Sequence, residues 1–190
     1  MSEDVGSLEG NIVFDVRAEV IAEEISREFF VSYLGSLDSP FGLTIGQVGK
    51  TGWYLSTKAS SVYKEPPYTY SGEAWNPGFT QARYYEFSNT EKTRRLSVTA
   101  GFTWQLGQNF FLYTGAGYGI KDLLWQIDIY DYENDAKTGS EYVQQPEYSY
   151  TGIEAEGGFI VRMGSFLLEG GVTSVNLQYT NWTVGMRVAF

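Results

Sequence analysis

The sequence predicts an all-β protein: a closed antiparallel transmembrane β-barrel, most simply of eight strands, with eight to ten open. Three observations predict it. Apolar and small or polar residues alternate with period two over most of the 190 residues. The composition is rich in strand formers, with 17% aromatics and 15 Tyr against only 19% charged residues, and its 22 Gly supply turns and small positions. The mean hydropathy is −0.24, and no run approaches the roughly 20 apolar residues of a spanning helix. A barrel satisfies all three, because its lipid face takes only every second residue.

Residues 1–26 open the chain ambiguously. Ile12, Phe14, Val16, Ala18, Val20 and Ala22 alternate with Val13, Asp15, Arg17, Glu19, Ile21 and Glu23, as in a strand. Asp15 to Ser26 reads equally as a short helix capped by Asp15. The stretch is expected to be a periplasmic extension or an extra strand, with the barrel over 27–190. Met1-Ser2-Glu3-Asp4 lacks the basic start and apolar stretch of a signal peptide, which leaves a cytoplasmic chain or a mature one.

Strands are expected near 27–36, 40–48, 52–63, 93–106, 109–127, 147–163, 165–175 and 180–190. In the fourth, Leu96, Val98, Ala100, Phe102, Trp104 and Leu106 share a face opposite Arg95, Ser97, Thr99, Gly101, Thr103 and Gln105. In the last, Trp182, Val184, Met186, Val188 and Phe190 oppose Thr183, Gly185, Arg187 and Ala189. Lys50-Thr51-Gly52, Gly107-Gln108-Asn109 and Gly164-Ser165 read as tight turns at one end. Residues 64–92 and 131–146 read as long polar loops at the other. The prolines, Pro40, Pro66, Pro67, Pro77 and Pro146, are all assigned to loops, since proline cannot donate to a ladder.

The face opposite the large apolar residues decides the orientation. It is built from Ser, Thr, Gly and Ala, with Lys58, Arg95, Glu154, Glu156, Arg162, Glu169 and Arg187 among them. Small residues fit the narrow interior of an eight-stranded barrel, and charges of both signs there must pair. The apolar face therefore points to lipid and the charged face inward, where Glu154 and Glu156 balance Arg95, Arg162 and Arg187. Trp53 and Trp104 beside the tight turns, Trp182 near the other end and the terminal Phe190 are expected at the two membrane interfaces. The competing arrangement is a soluble ligand-binding barrel with Phe102 and Trp104 in its core.

The closing strand Trp-Thr-Val-Gly-Met-Arg-Val-Ala-Phe190 resembles the C-terminal signature of Gram-negative outer-membrane β-barrels. The stretch Phe41-Gly-Leu-Thr-Ile-Gly-Gln-Val-Gly-Lys-Thr-Gly-Trp-Tyr54 is similar to small outer-membrane barrel-domain proteins of the Bacteroidetes. Short turns on one side and long loops on the other are shared with OmpA-like and OmpX-like barrels. The resemblance implies a place in the outer membrane, contact with its lipid, and recognition of the last strand by the barrel-assembly machinery.

The chain has no Cys and no His. That excludes disulfide scaffolds, thiolate zinc sites, His-ligated metals and Ser-His-Asp triads. A net charge of −10 disfavours nucleic acid as a partner. No cofactor and no metal is expected. Asp128, Asp131, Glu133 and Asp135 lack the spacing of an EF-hand loop and read as a solvated acidic loop. Glu154 and Glu156 project to one side and are read as ion-pair partners rather than an acid–base pair. Tyr68, Tyr70, Trp75, Phe79, Tyr84 and Tyr85, with Phe87 beside them, in the first long loop suit contact with sugar or protein. The expected role is structural, adhesive or accessory, within a larger envelope complex or alone, and not enzymatic. A narrow channel or small-solute transporter is the rival, and loss of Arg162 and Arg187 together would open a leak if they form the plug.

Overall fold

The computed structural model describes residues 27–61, 66–71 and 83–190. Nine strands are present among them: β1 (Glu28–Gly35), β2 (Phe41–Val48), β3 (Thr51–Ala59), β4 (Tyr68–Thr69), β5 (Arg83–Gly107), β6 (Phe110–Asp131), β7 (Lys137–Met163), β8 (Phe166–Val175) and β9 (Tyr179–Ala189). All but β4 form an antiparallel ring in the order β7-β6-β5-β3-β2-β1-β9-β8, closed by β7 on β8. The described part of the chain is thus an eight-stranded closed barrel, as the alternation predicted. Closure leaves no ring edge to be covered within the barrel. The last residue takes part: Phe29 and Phe190 exchange backbone bonds, 3.2 Å from Phe29 N–H and 2.9 Å from Phe190 N–H. The extra strand or helix weighed for 1–26 lies outside the described residues.

Burial alternates along the strands and places the large apolar side chains outside. Phe29, Val31 and Tyr33 of β1, Phe41, Leu43 and Ile45 of β2, and Val184, Met186 and Val188 of β9 are all exposed. Their neighbours Phe30, Ser32, Thr44, Thr183 and Arg187 are buried. This is the reverse of a water-soluble barrel, so the soluble arrangement with Phe102 in the core is overturned: Phe102 is 58% exposed. On β5 the outward apolar run Leu96–Leu106 has the length of one tilted crossing, about 9–11 residues.

The expected loops need correction. Residues 83–92 and 137–146 are not loops; they are the outer parts of β5 and β7, paired with β6 out to Arg83–Asp131 and Tyr130–Lys137. Their own alternation supplies the reason, since Tyr85, Ile127, Ile129 and Val143 share one face with a packed apolar layer. Polarity alone hid it. Three outer connections, 36–40, 132–136 and 176–178, are short, while the one from Ala59 of β3 to Arg83 of β5 is long and carries β4. The two ends therefore differ in strand length as well as in loop length. Asn176 and Leu177 both have positive φ, 51° and 58°, the pattern of a type I′ hairpin turn. At the other end, Thr51 and Gly52 belong to β3, so the turn falls at Gly49 and Lys50. β3 stops at Ala59, short of the expected 63.

Pro146 also departs from its loop assignment and sits within β7. Pairing there jumps from Leu123–Gln145 to Lys121–Tyr150. Residues 146–149 bulge out, so the missing proline N–H costs no ladder bond. Ser149 Oγ holds the bulge, accepting from Leu123 N–H at 3.2 Å and donating to Gln145 O at 2.7 Å.

Candidate functional site

The lumen is filled from the turn end upward. Phe30, Val48, Phe111, Ile160 and Leu167 form an apolar floor. Tyr54 and Tyr113 lie against it, edge to face, with ring centroids 5.7 Å apart. Two inward glycines make room for them: a Cβ on Gly115 would strike the Tyr54 hydroxyl, and one on Gly171 the Tyr113 hydroxyl. Arg187 lies over the Phe30 ring with its Cζ 4.2 Å from the centroid. Its Nε donates to Glu169, which also accepts from Ser32 Oγ at 3.3 Å.

Above this sits a second group of charges. Lys58 Nζ donates to Glu154 Oε1 at 3.0 Å and to Glu156. Arg95 Nη2 donates to Glu154 Oε2 at 2.6 Å, and its Nη1 to Ile120 O at 3.2 Å. Thr99 donates to Glu156 Oε1 at 2.6 Å, and Thr173 donates to Glu154. Lys58, Arg95 and Arg187 thus face Glu154, Glu156 and Glu169, all nearly sealed from solvent. Equal numbers of each sign, each hydrogen-bonded, make such burial tolerable. Both Glu154 oxygens are held by cations, so this carboxylate is an ion-pair partner rather than a poised acid or base. The outer end is capped by Lys121, which donates to Tyr148 O at 2.9 Å and lies beside the Tyr150 and Tyr179 rings.

Arg162 does not join these groups. It bonds Glu28 at 2.8 Å at the turn-side rim, with both side chains partly exposed. Glu154 and Glu156 are therefore balanced by Lys58 and Arg95, and Arg187 by Glu169. A plug of Arg162 with Arg187 is not what the geometry contains. The expected ion network did not include Glu28, Ser32, Tyr54, Thr99, Tyr113 or Thr173. Their parity was available: each of these lumen residues falls on the inward face of its strand.

Among the outward aromatics, Trp53 and Trp104 stand near the tight turns, Trp182 is 74% exposed near the 176–178 turn, and Phe190 ends the closing strand. Of the six expected contact aromatics, Trp75 and Phe79 lie outside the described residues. The others do not form one patch. Tyr84 stacks on Tyr130 at 5.1 Å on the outward face of the protruding sheet. Tyr85 and Tyr68 lie toward its other side, where β4 pairs in parallel with β7 at Tyr68–Val143. Tyr70 meets Phe87 at 6.0 Å and Trp125 at 5.5 Å. Phe87 was read in the same stretch as Tyr70, but Trp125 was not, because only the β5–β6 register brings it beside them.

The far hairpin is pinned by charge. Lys137 bonds Asp128 at 2.8 Å, and Gln126 and Ser140 donate to the same carboxylate. These bonds, that of Lys137 foremost, hold the Asp128 carboxyl down at about 2, from an ordinary 3.8.

Fold and lumen together define a closed β-barrel with a lipid-type exterior and a plugged, ion-paired interior. Among solved structures the chain is similar to Ail, the attachment invasion locus protein of Yersinia pestis, at 14% identity and TM-score 0.45, over 87% of this chain and 96% of that one. It is also similar to Neisserial surface protein A, at 14% identity and TM-score 0.37, over 86% and 94%. A de novo designed transmembrane β-barrel matches at 10% identity and TM-score 0.37, over 86% and 94%. No described protein family and no curated protein sequence matches the chain.

Proposed function

We propose that this chain is an outer-membrane β-barrel whose barrel serves as an anchor and whose protruding β5–β6–β7 sheet is the working surface, in a structural or adhesive role. The observation that carries this reading is the single strand β6. Its outward residues are apolar from Phe110 to Ile120 apart from Thr114, and beyond that are polar at Asp122, Gln126 and Asp128 apart from the buried Leu124. Its inward residues pass from the packed lumen to an apolar layer above it. A strand that leaves the lipid and goes on as a sheet presents surface to the outside. The filled lumen weighs against a channel, and the saturated carboxylates weigh against catalysis. Lipid is the partner of the outward belt. The strand ending at Phe190 is the segment the barrel-assembly machinery would read, and the protruding sheet is where an envelope partner would bind.

The test uses whole cells and a planar bilayer. The chain has no cysteine, so Asn134→Cys provides one thiol at the tip of the β6–β7 hairpin. A membrane-impermeant maleimide should label it on intact cells, and the purified wild type should conduct no steady current. Labelling only after lysis would place the tip on the wrong side, and a large open conductance would restore the channel reading.

A further inference from the structure

The β5–β6 ladder breaks once above the lipid. Pairing passes from Phe87–Ile127 to Glu91–Trp125, so Ser88, Asn89 and Thr90 stand opposite Gln126 alone. Bulges of this kind re-aim side chains and gather at functional positions. Here the bulge opens a cleft of about 280 Å³ lined by Phe87, Ser88, Asn89, Glu91 and Trp125. Its size is near the low end of small-molecule sites, about 300 Å³, and suits one ring rather than a long chain.

The lining is of two kinds. Phe87 and Trp125 meet nearly at right angles with centroids 5.7 Å apart, and Tyr70 packs against both. Phe87 is half exposed. Beside these rings are a hydroxyl, an amide and a carboxylate. Trp125 Nε1–H donates to Glu91 Oε1 at 3.2 Å, which fixes the indole and leaves Oε2 to accept from a ligand. Flat rings cover the C–H face of a sugar at little entropic cost. Ser88, Asn89 and Glu91 answer its hydroxyls as donors and acceptors.

We infer that this cleft is a binding site for one ring of an uncharged saccharide. The Glu91 carboxylate and the net charge of −10 select against sulfated or phosphorylated glycans. The inference deepens the surface role proposed above and rests on it, since it supplies the ligand class for the protruding sheet.

The full chain, refolded in detergent micelles, is titrated with glucose, galactose, mannose and N-acetylglucosamine, each followed by saturation-transfer NMR. The expected result is saturable binding of at least one of them at about millimolar Kd. Trp125→Ala should weaken it by about tenfold or more, and Glu91→Gln by several-fold. Asn89→Ala leaves the ladder untouched and should also weaken it, which guards against misfolding of the tryptophan variant. Heparin should neither bind nor compete. No saturable binding by any of the four sugars would overturn the site, as would binding indifferent to all three substitutions or displaced by heparin. Heat-modifiable gel migration, run in parallel, separates the readings: a heat-modifiable barrel that binds no sugar loses the saccharide site alone, whereas a chain that is not heat-modifiable loses the membrane reading as well.

Discussion

The lower and upper parts of β5, β6 and β7 are the same strands in two solvents. Below, Leu96, Ile120 and Ile153 point outward while Arg95, Lys121 and Glu154 point inward. Above, the outward positions carry Lys92, Asp122 and Asp128, while Ile127, Ile129 and Val143 are packed on the other face. Leu124 is the buried apolar exception on the outward side. Backbone pairing runs through the crossing, interrupted only by bulges. The pleat is indifferent to polarity; what reverses is the medium. Each face is matched to what it touches, so lipid outside demands apolar side chains and water outside demands polar ones.

Substitutions sharpen this contrast, beginning with the largest effect. Glu154→Ala leaves Lys58 and Arg95 buried without their shared carboxylate, which should cost about 3–5 kcal/mol. Chemical denaturation of the barrel in lipid vesicles measures it. Ala100→Arg puts a charge on the lipid face and should cost about 2–4 kcal/mol near the midplane. Gln126→Arg, on the outward face above the lipid, should be nearly neutral by the same assay. Equal costs at 100 and 126 would erase the boundary between the regions.

Ile127→Ala removes a fully buried side chain from the upper layer, a loss of about 2–5 kcal/mol in a packed core. It should loosen the protruding sheet, seen as faster amide exchange above Asp122, without changing the heat-modifiable migration of the barrel. Smaller still is Leu177→Gly, which relieves a left-handed residue in an exposed turn and should stabilise by about 1 kcal/mol.

Acid acts on the upper region by a defined route. The Asp128 carboxyl is depressed, so the support it gives the hairpin is whole above its ordinary value of 3.8 and disappears as pH falls through about 2. The protection of amides 128–140, taken relative to their intrinsic exchange at each pH, should hold to pH 4 and fall at lower pH, and Asp128→Asn should lower it at pH 7.

Much of the lower region was legible. The alternation in 96–106, 153–163 and 182–190 gave strands, faces and orientation, because one-sided burial imprints a period of two. The lumen charges were readable as a set, since parity puts them inside. Their partners were not. Arg162 and Arg187 share an inward parity with Glu154, yet Arg162 reaches Glu28 and Arg187 reaches Glu169. Depth along a tilted strand decides who meets whom, and a sequence carries no depth. The upper region was misread for a physical reason. Its outward face is polar, so a scan that equates polarity with loops stops at Thr93 and passes over Tyr85, Ile129 and Val143.

Orientation in the bilayer is the central claim, and the cysteine-free chain makes it measurable. Single spin labels at Val98, Val161 and Val184, with Gln126 as the contrast, are read in lipid vesicles for collision with oxygen and with a water-soluble nickel chelate. Labels at 98, 161 and 184 should meet oxygen far more than nickel, and the label at 126 the reverse. Nickel access at all four positions would mean that the apolar face meets water, contradicting the account at its base.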